Sequence, residues 1–137
     1  MKFLLDTNIF VYLVENNYKQ LSANQKEIIG NPENELFISE ATYYELSIKS
    51  RLIKQANSIF NIKELDNYRK ILNIKVLKSN TDYYIGITDV PKVYLSANKL
   101  HGDPFDLLII SQALTENLTI LSSDSLFPEY DGLNVIS

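Results

Sequence analysis

Lys2-Phe3-Leu4-Leu5-Asp6-Thr7-Asn8 is the stretch that decides how the rest of the chain is read. Three apolar residues, Phe3 to Leu5, stop abruptly at a carboxylate. That is the pattern of a buried strand running out into a polar edge. Asp6, Thr7 and Asn8 are cap-type residues, and Ile9, Tyr12 and Leu13 follow at helical spacing. A short buried strand leading straight into a helix is the opening of a βαβ unit.

The alternation continues outward from there. Asn31-Pro32-Glu33-Asn34 reads as a turn and Leu36-Phe37-Ile38 as a second strand, after which Ser39 can cap a helix from about Glu40 to about Gln55. Ile59 to Leu72 reads as a helical pair or a helix with a break. Ile74-Lys75-Val76-Leu77 alternates like a strand and stops at Ser79-Asn80. Thr81 to Leu100 reads as helical in parts, interrupted at Asp89-Val90-Pro91. Asp103 as cap and Pro104 in the first turn open a helix to about Glu116, and Leu118–Leu121 and Leu133–Ile136 are the last strands. Strands alternating with helices predict a three-layer α/β/α sandwich around a Rossmann-like, mostly parallel sheet. No repeat or linker interrupts the pattern, so one domain, 1–137, is expected.

Bulk properties agree with a globular chain. Its 137 residues suffice for a sizeable core, with 45% hydrophobic and 22% charged. The absence of cysteine excludes disulfides, thiolate metal sites and cysteine nucleophiles. The first charge after Met1-Lys2 comes at Asp6, too soon for a signal peptide, and no apolar run approaches the roughly 20 residues of a membrane span. A cytoplasmic protein with no membrane partner is expected. A net charge of -4 speaks against nucleic acid if taken alone. Carboxylates gathered around bound cations would remove that objection, because the ion's charge enters the local balance.

The acids fall where such a site belongs. In a parallel α/β sheet, ligands bind beyond the carboxyl ends of the strands, where helix N-termini also point. Asp6 ends the first strand, Asp124 follows the strand ending at Leu121, and Asp103 and Asp106 start the helix opened by Pro104. Glu45 is placed by periodicity instead: Ala41, Ile48 and Leu52 share its helical stripe, so it is expected to face the core with them. Asp106 likewise shares a stripe with Ile110 and Ala113. An ionised carboxylate on such a face is costly unless paired or bound to metal.

Each acid also has a structural explanation. Asp103 and Asp106 can serve as cap and helix start, Asp6 as a cap, Asp124 as a turn former, and Glu45 as the i,i+4 partner of Lys49. One shared cause explains all five more simply than five separate ones. A carboxylate nest without cysteine suits hard cations, Mg²⁺ or Mn²⁺, and such sites commonly cut phosphodiesters without a protein nucleophile. The single histidine, His101, is a candidate substrate contact, against a backbone hydrogen bond in a tight turn. Lys49, Arg51 and Lys54 could meet phosphates, although Arg51 and Lys54 are better explained as a solvated basic helix end. The nine tyrosines are read as packing residues.

Taken in order, Leu4-Leu5-Asp6-Thr7-Asn8, Ile38-Ser39 through Glu45-Leu46-Ser47-Ile48-Lys49, His101-Gly102-Asp103-Pro104-Phe105-Asp106, Ile109 to Ala113, and Leu121-Ser122-Ser123-Asp124 resemble the PIN-domain nucleases. They look most like the VapC-type toxins of prokaryotic toxin–antitoxin pairs. The resemblance spans Lys2 to Ile136. It implies Mg²⁺- or Mn²⁺-dependent RNA cleavage, with Asp6, Glu45 and Asp106 matching the acidic triad and Asp124 the less regular fourth acid. Thr7 and Asn8 match the polar pair beside the first acid, Ser122 the hydroxyl residue supporting it, and Asp103 an acid of the subgroup bearing the His-x-Asp-Pro-Phe-Asp string. A cognate antitoxin and a homodimer are implied partners.

Two positions depart from the subgroup: Leu107 stands where arginine is usual, and Tyr44 where tryptophan is usual. The metal-ligand positions are intact. Two rival functions remain. A non-catalytic RNA- or protein-binding module would not need clustered negative charge near phosphates. A phosphoacceptor of the response-regulator kind would need a lysine at the tip of a late strand, and Leu118 to Asp124 has none.

Overall fold

The computed structural model describes residues 1–52 and 61–137. Its elements run β1 (Lys2–Leu5), α1 (Thr7–Val14), α2 (Ala23–Gly30), β2 (Glu35–Ser39), α3 (Glu40–Leu52) and α4 (Ile62–Ile71). Then follow β3 (Lys75–Leu77), α5 (Thr81–Gly86), β4 (Tyr94–Ser96), β5 (Lys99–Leu100), α6 (Pro104–Glu116), β6 (Thr119–Leu121) and β7 (Val135–Ile136). The expected helix end near Gln55, the expected helical start at Ile59, and Lys54 lie outside the described residues.

Among the described residues, β3-β2-β1-β6-β7 form a sheet in which every neighbouring pair is parallel. β1 is its centre, with Leu4 opposite Phe37 on one side and Ile120 on the other. Side chains of a strand point alternately to the two faces, and here each face has its own core. Phe3, Leu5, Leu36, Ile38 and Leu121 pack with Ile9, Phe10 and Leu13 of α1, Leu46 of α3 and Leu65 of α4. Leu4, Ile120 and Phe37 pack the opposite way, against Tyr83 of α5 and Ile109, Ile110 and Ala113 of α6. The result is the three-layer α/β/α sandwich that the βα alternation predicts. Each buried Phe or Leu of β1 contributes roughly 1.5–3 kcal/mol, which is why Phe3-Leu4-Leu5 is apolar on both faces.

The boundaries follow local chemistry. Ser39 Oγ accepts from the Ala41 amide at 2.9 Å and starts α3, and Asp103 caps α6 ahead of Pro104. Asn117, in the left-handed conformation at φ 52°, ends α6 so that the chain can reverse into β6. Where α5 crosses α6, a Cβ on Gly86 would lie 2.8 Å from Ser111 Oγ, so the close approach requires glycine.

Two expectations need correction, and one helix has no apolar signal in the sequence. The segment Thr81 to Leu100 holds an antiparallel hairpin, β4–β5, after its helical part. Both strands are exposed, so no apolar alternation marks them. Helix α2 carries no apolar stripe. It is built on a capping box, Ser22 with Gln25, and its buried residue is the polar Gln25. Finally, the stripe assigned to Glu45 does not face the core throughout: Ala41 is buried, but Ile48 is 39% and Leu52 75% exposed. The buried positions of α3 are Ala41, Thr42 and Leu46. Helical spacing identifies an apolar stripe, not what covers it.

Candidate active site

β1, β2 and β6 are parallel, so their carboxyl ends lie along one edge of the sheet, and the Asp6 amide donates to the Leu121 carbonyl at 2.9 Å across it. Asp6 is only 4% exposed. It caps α1: Oδ1 accepts from the Thr7 amide at 2.7 Å, while Oδ2 accepts from Ser122 Oγ at 2.8 Å. Burial pushes its carboxyl up to about 6, and the charges of Asp124 and Glu45 add to the rise against the two hydrogen bonds.

Asp106 enters from the first turn of α6, which runs back toward the start of β6 and so begins at the same edge. Burial, and after it the charges of Asp103, Asp6, Asp124 and Glu45, push its carboxyl up to about 7. Acids following β1, on α3, at the α6 start and in the loop after β6 thus all bear on the Asp106 carboxyl.

Each is nevertheless engaged locally. Glu45 Oε2 lies 3.6 Å from Lys49 Nζ, the i,i+4 pair, on a side chain 19% exposed. Asp124 Oδ1 accepts from the Leu126 amide at 2.9 Å and forms the expected turn. Asp103 Oδ1 caps α6 through the amides of Phe105 at 2.9 Å and Asp106 at 3.1 Å. Ser122 joins two acids, giving its hydroxyl hydrogen to Asp6 while its Oγ accepts from the Asp124 amide at 3.0 Å. Thr7 turns inward to a buried hydroxyl pair with Thr42 Oγ1 at 3.0 Å, and Asn8 is exposed.

His101 sits differently from either expectation. Its ring is buried, Nε2 3.2 Å from Asp106 Oδ2 and Nδ1 2.5 Å from the Tyr130 hydroxyl, so neither nitrogen is turned to a substrate or to local backbone. Tyr130, Thr42 and Gln25 are functional-edge residues that sequence reasoning missed. Gln25 Nε2 donates to the carbonyls of Ser122 at 3.2 Å and Ile136 at 3.1 Å, fixing the loop that carries Ser122. Tyr130 and Gln25 act on partners far away in sequence, which no spacing rule connects.

The donor chemistry fits a hard divalent cation: carboxylate oxygens, negative in sum, with Asp6 and Asp106 raised by burial and by the charges of neighbouring acids. Among the described residues, no three acidic or histidine side chains are drawn together into a finished ligand cluster.

Comparison with known proteins agrees with this architecture. No curated protein sequence matches the chain significantly. Solved structures do. A chain of VapBC2 from Rickettsia felis, bound to a DNA fragment from their promoter, superimposes with TM-score 0.72 at 24% identity, over 99% of this chain and 98% of that one. VapBC-1 from nontypeable Haemophilus influenzae gives 0.68 at 23% identity, over 100% and 98%. DNA-bound VapBC from Salmonella typhimurium gives 0.68 at 19%, over 99% and 97%. The PIN domain family model matches residues 3–133, from the first strand through the loop after Asp124, so all four candidate acids lie inside the match and the chain belongs to the PIN domain family.

Proposed function

We propose that this protein is a Mg²⁺- or Mn²⁺-dependent endoribonuclease, a single nuclease domain acting in the cytoplasm as the VapC-type toxin of a toxin–antitoxin pair. The observation that carries the reading is the state of Asp106: a carboxyl among four other acids, pushed up to about 7 by burial and by their charges. A fold does not assemble uncompensated acids at the mouth of its sheet for stability. Asp6, Glu45, Asp106 and Asp124 would hold the cation. Bound there, it supplies charge neutralisation, polarisation of the phosphodiester and an activated water.

The chain's own residues do the rest. Ser122 and the Thr7 amide orient Asp6. Asp103 fixes the first turn of α6 and with it the backbone of Asp106. Lys49, exposed beside Glu45, is placed to meet a phosphate of the RNA.

Two partners belong to the proposal. Likeness to chains of VapBC complexes supports a cognate antitoxin. The exposed stripe Tyr44, Ile48 and Leu52 of α3, with Tyr84 and Ile85 of α5, supports a homodimer. Of these, Tyr44 and Tyr84 line a groove of about 570 Å³ together with Phe105 and Leu108. No helix among the described residues is long and apolar enough to cross a membrane.

The test is cleavage of a labelled structured RNA. Wild-type protein is expected to cut it with Mg²⁺ and to stop on addition of EDTA. The Asp6→Asn variant is expected to remain folded and inactive. Full activity of that variant would overturn the mechanism, and RNA bound with Mg²⁺ but left uncut would favour the binding module.

A further inference from the structure

His101 is the only histidine of the chain. It is 8% exposed, and its two ring nitrogens face two different side chains, Asp106 Oδ2 at 3.2 Å and the Tyr130 hydroxyl at 2.5 Å. We propose that His101 is a positioning residue for Asp106, and that Tyr130 sets its tautomer by donating to Nδ1, so that Nε2–H donates to the carboxylate. The proposal rests on the reading of Asp106 as a cation ligand.

Three observations carry it. Tyr130 is buried at 2% exposure, in the core of the face that α6 packs on, and its ring meets that of His101 edge-on at 64° and 5.8 Å. Burial raises the phenol above its usual range, so its oxygen keeps its hydrogen. A phenol hydrogen directed at Nδ1 requires a lone pair there, which leaves the ring proton on Nε2. Second, the ring is anchored from behind: the His101 amide donates to the Val93 carbonyl at 2.8 Å, and the Tyr130 amide to Phe127 at 3.1 Å. Third, the arrangement parallels that of Asp6, whose Oδ2 is taken by the Ser122 hydroxyl.

A neutral N–H or O–H orients a carboxylate without cancelling its charge, so the acid is aimed and remains available to a cation. A lysine or arginine in the place of His101 would orient Asp106 equally well and neutralise it. The choice of an imidazole held by a phenol therefore has a functional sense that a purely structural bridge lacks.

The test uses the untagged full chain. In metal-free protein labelled with ¹⁵N-histidine, at pH 7.5, the single imidazole is expected to show the Nε2–H tautomer, and Tyr130→Phe to shift it toward Nδ1–H. Mn²⁺ binding, followed by the electron paramagnetic resonance of the free ion, is expected to weaken roughly 10-fold or more in His101→Ala. His101→Gln, whose amide nitrogen can donate from the same side, is expected to recover most of that loss. A wild-type ring protonated on Nδ1, or a folded His101→Ala binding Mn²⁺ as tightly as wild type, would overturn the proposal. If His101→Ala does not fold, the Gln variant and the wild-type spectrum decide. If wild type itself binds no Mn²⁺, the nuclease reading falls, and the tautomer alone still supports or overturns the His101–Asp106 arrangement.

Discussion

Two acid-centred clusters in this chain are treated in opposite ways. Asp66 of α4 receives the Tyr43 hydroxyl, Arg69 Nε at 3.0 Å and Lys70 Nζ at 3.2 Å, and the Tyr43 bond foremost lowers its carboxyl to about 2. Arg69 goes on to the Ile74 carbonyl at 2.7 Å, so the cluster ties α4 to α3 and to the start of β3. At the sheet edge, Asp6 takes the Ser122 hydroxyl and Asp106 faces a His101 ring nitrogen, and both sit among other acids; burial foremost raises them to about 6 and about 7. Where an acid serves the fold, the chain supplies its own cations. Where acids gather at the sheet edge, their partners are a hydroxyl and an imidazole, and their carboxyls are raised instead of lowered.

The most decisive way to break that contrast is to neutralise one acid from each cluster and measure RNA cleavage. Asp106→Asn is expected to lose more than roughly 100-fold, beyond the 10- to 100-fold typical of residues that only support a metal ligand. Asp66→Asn is expected to stay within a few-fold of wild type. Equal losses would mean that both acids serve only the fold.

The same pair should reverse order in stability. In EDTA at pH 7.5, Asp106→Asn removes a buried, repelled charge and is expected to raise the melting temperature by a few degrees, on the order of 1 kcal/mol. Asp66→Asn breaks a partly solvated ion-pair network and is expected to cost about 1 kcal/mol. Calorimetry on the metal-free proteins checks both. A loss in both variants would show that the edge acids are paired after all.

The pH dependence of the metal-free fold sharpens the contrast further. Raised folded-state values of about 6 and 7 mean that Asp6 and Asp106 bind protons more tightly folded than unfolded. Stability is therefore lost as pH rises from about 4, the unfolded value, through 7. Asp66 acts inversely, since its lowered carboxyl adds stability above about 4 that disappears only toward pH 2. Stability without metal, followed by the melting temperature, is thus expected to fall between pH 5 and pH 8 by on the order of 2 kcal/mol. Excess Mg²⁺ should abolish the fall. A flat metal-free profile would count against the raised acids.

How much of this could be read from residues alone follows the same division. β1, β2 and β6 are legible because burial on both faces forces an apolar run, and α6 because Asp103 and Pro104 mark its start. The acids are legible because strand ends and helix starts are topologically fixed places. What escaped depends on partners distant in sequence or on surfaces without periodicity. Nothing near Tyr130 announces His101, Gln25 reaches β6 and β7 from an amphipathically weak helix, and β4–β5 has both faces in solvent. The stripe through Ile48 and Leu52 was visible, and its exposure was not, because a pattern of apolar residues looks the same whether a core or a second molecule covers it.

The smallest effect is expected at the border between the two kinds of cluster. Lys49 is a cation on an edge acid, and its pair with Glu45 is long, 3.6 Å, with the lysine side chain 51% exposed. A bond of that kind is worth about 0.3–0.5 kcal/mol, too little to neutralise Glu45 as Arg69 and Lys70 neutralise Asp66. Lys49→Ala should therefore leave the melting temperature within about a degree. If Lys49 instead meets a phosphate beside the cut, the variant should raise KM for RNA several-fold, keep kcat within about two-fold, and reduce the salt dependence of binding by roughly one ion. A drop in kcat at unchanged KM would give a different answer: the lysine would then act through Glu45, and the division between self-neutralised and open acids would run through α3 rather than between the clusters.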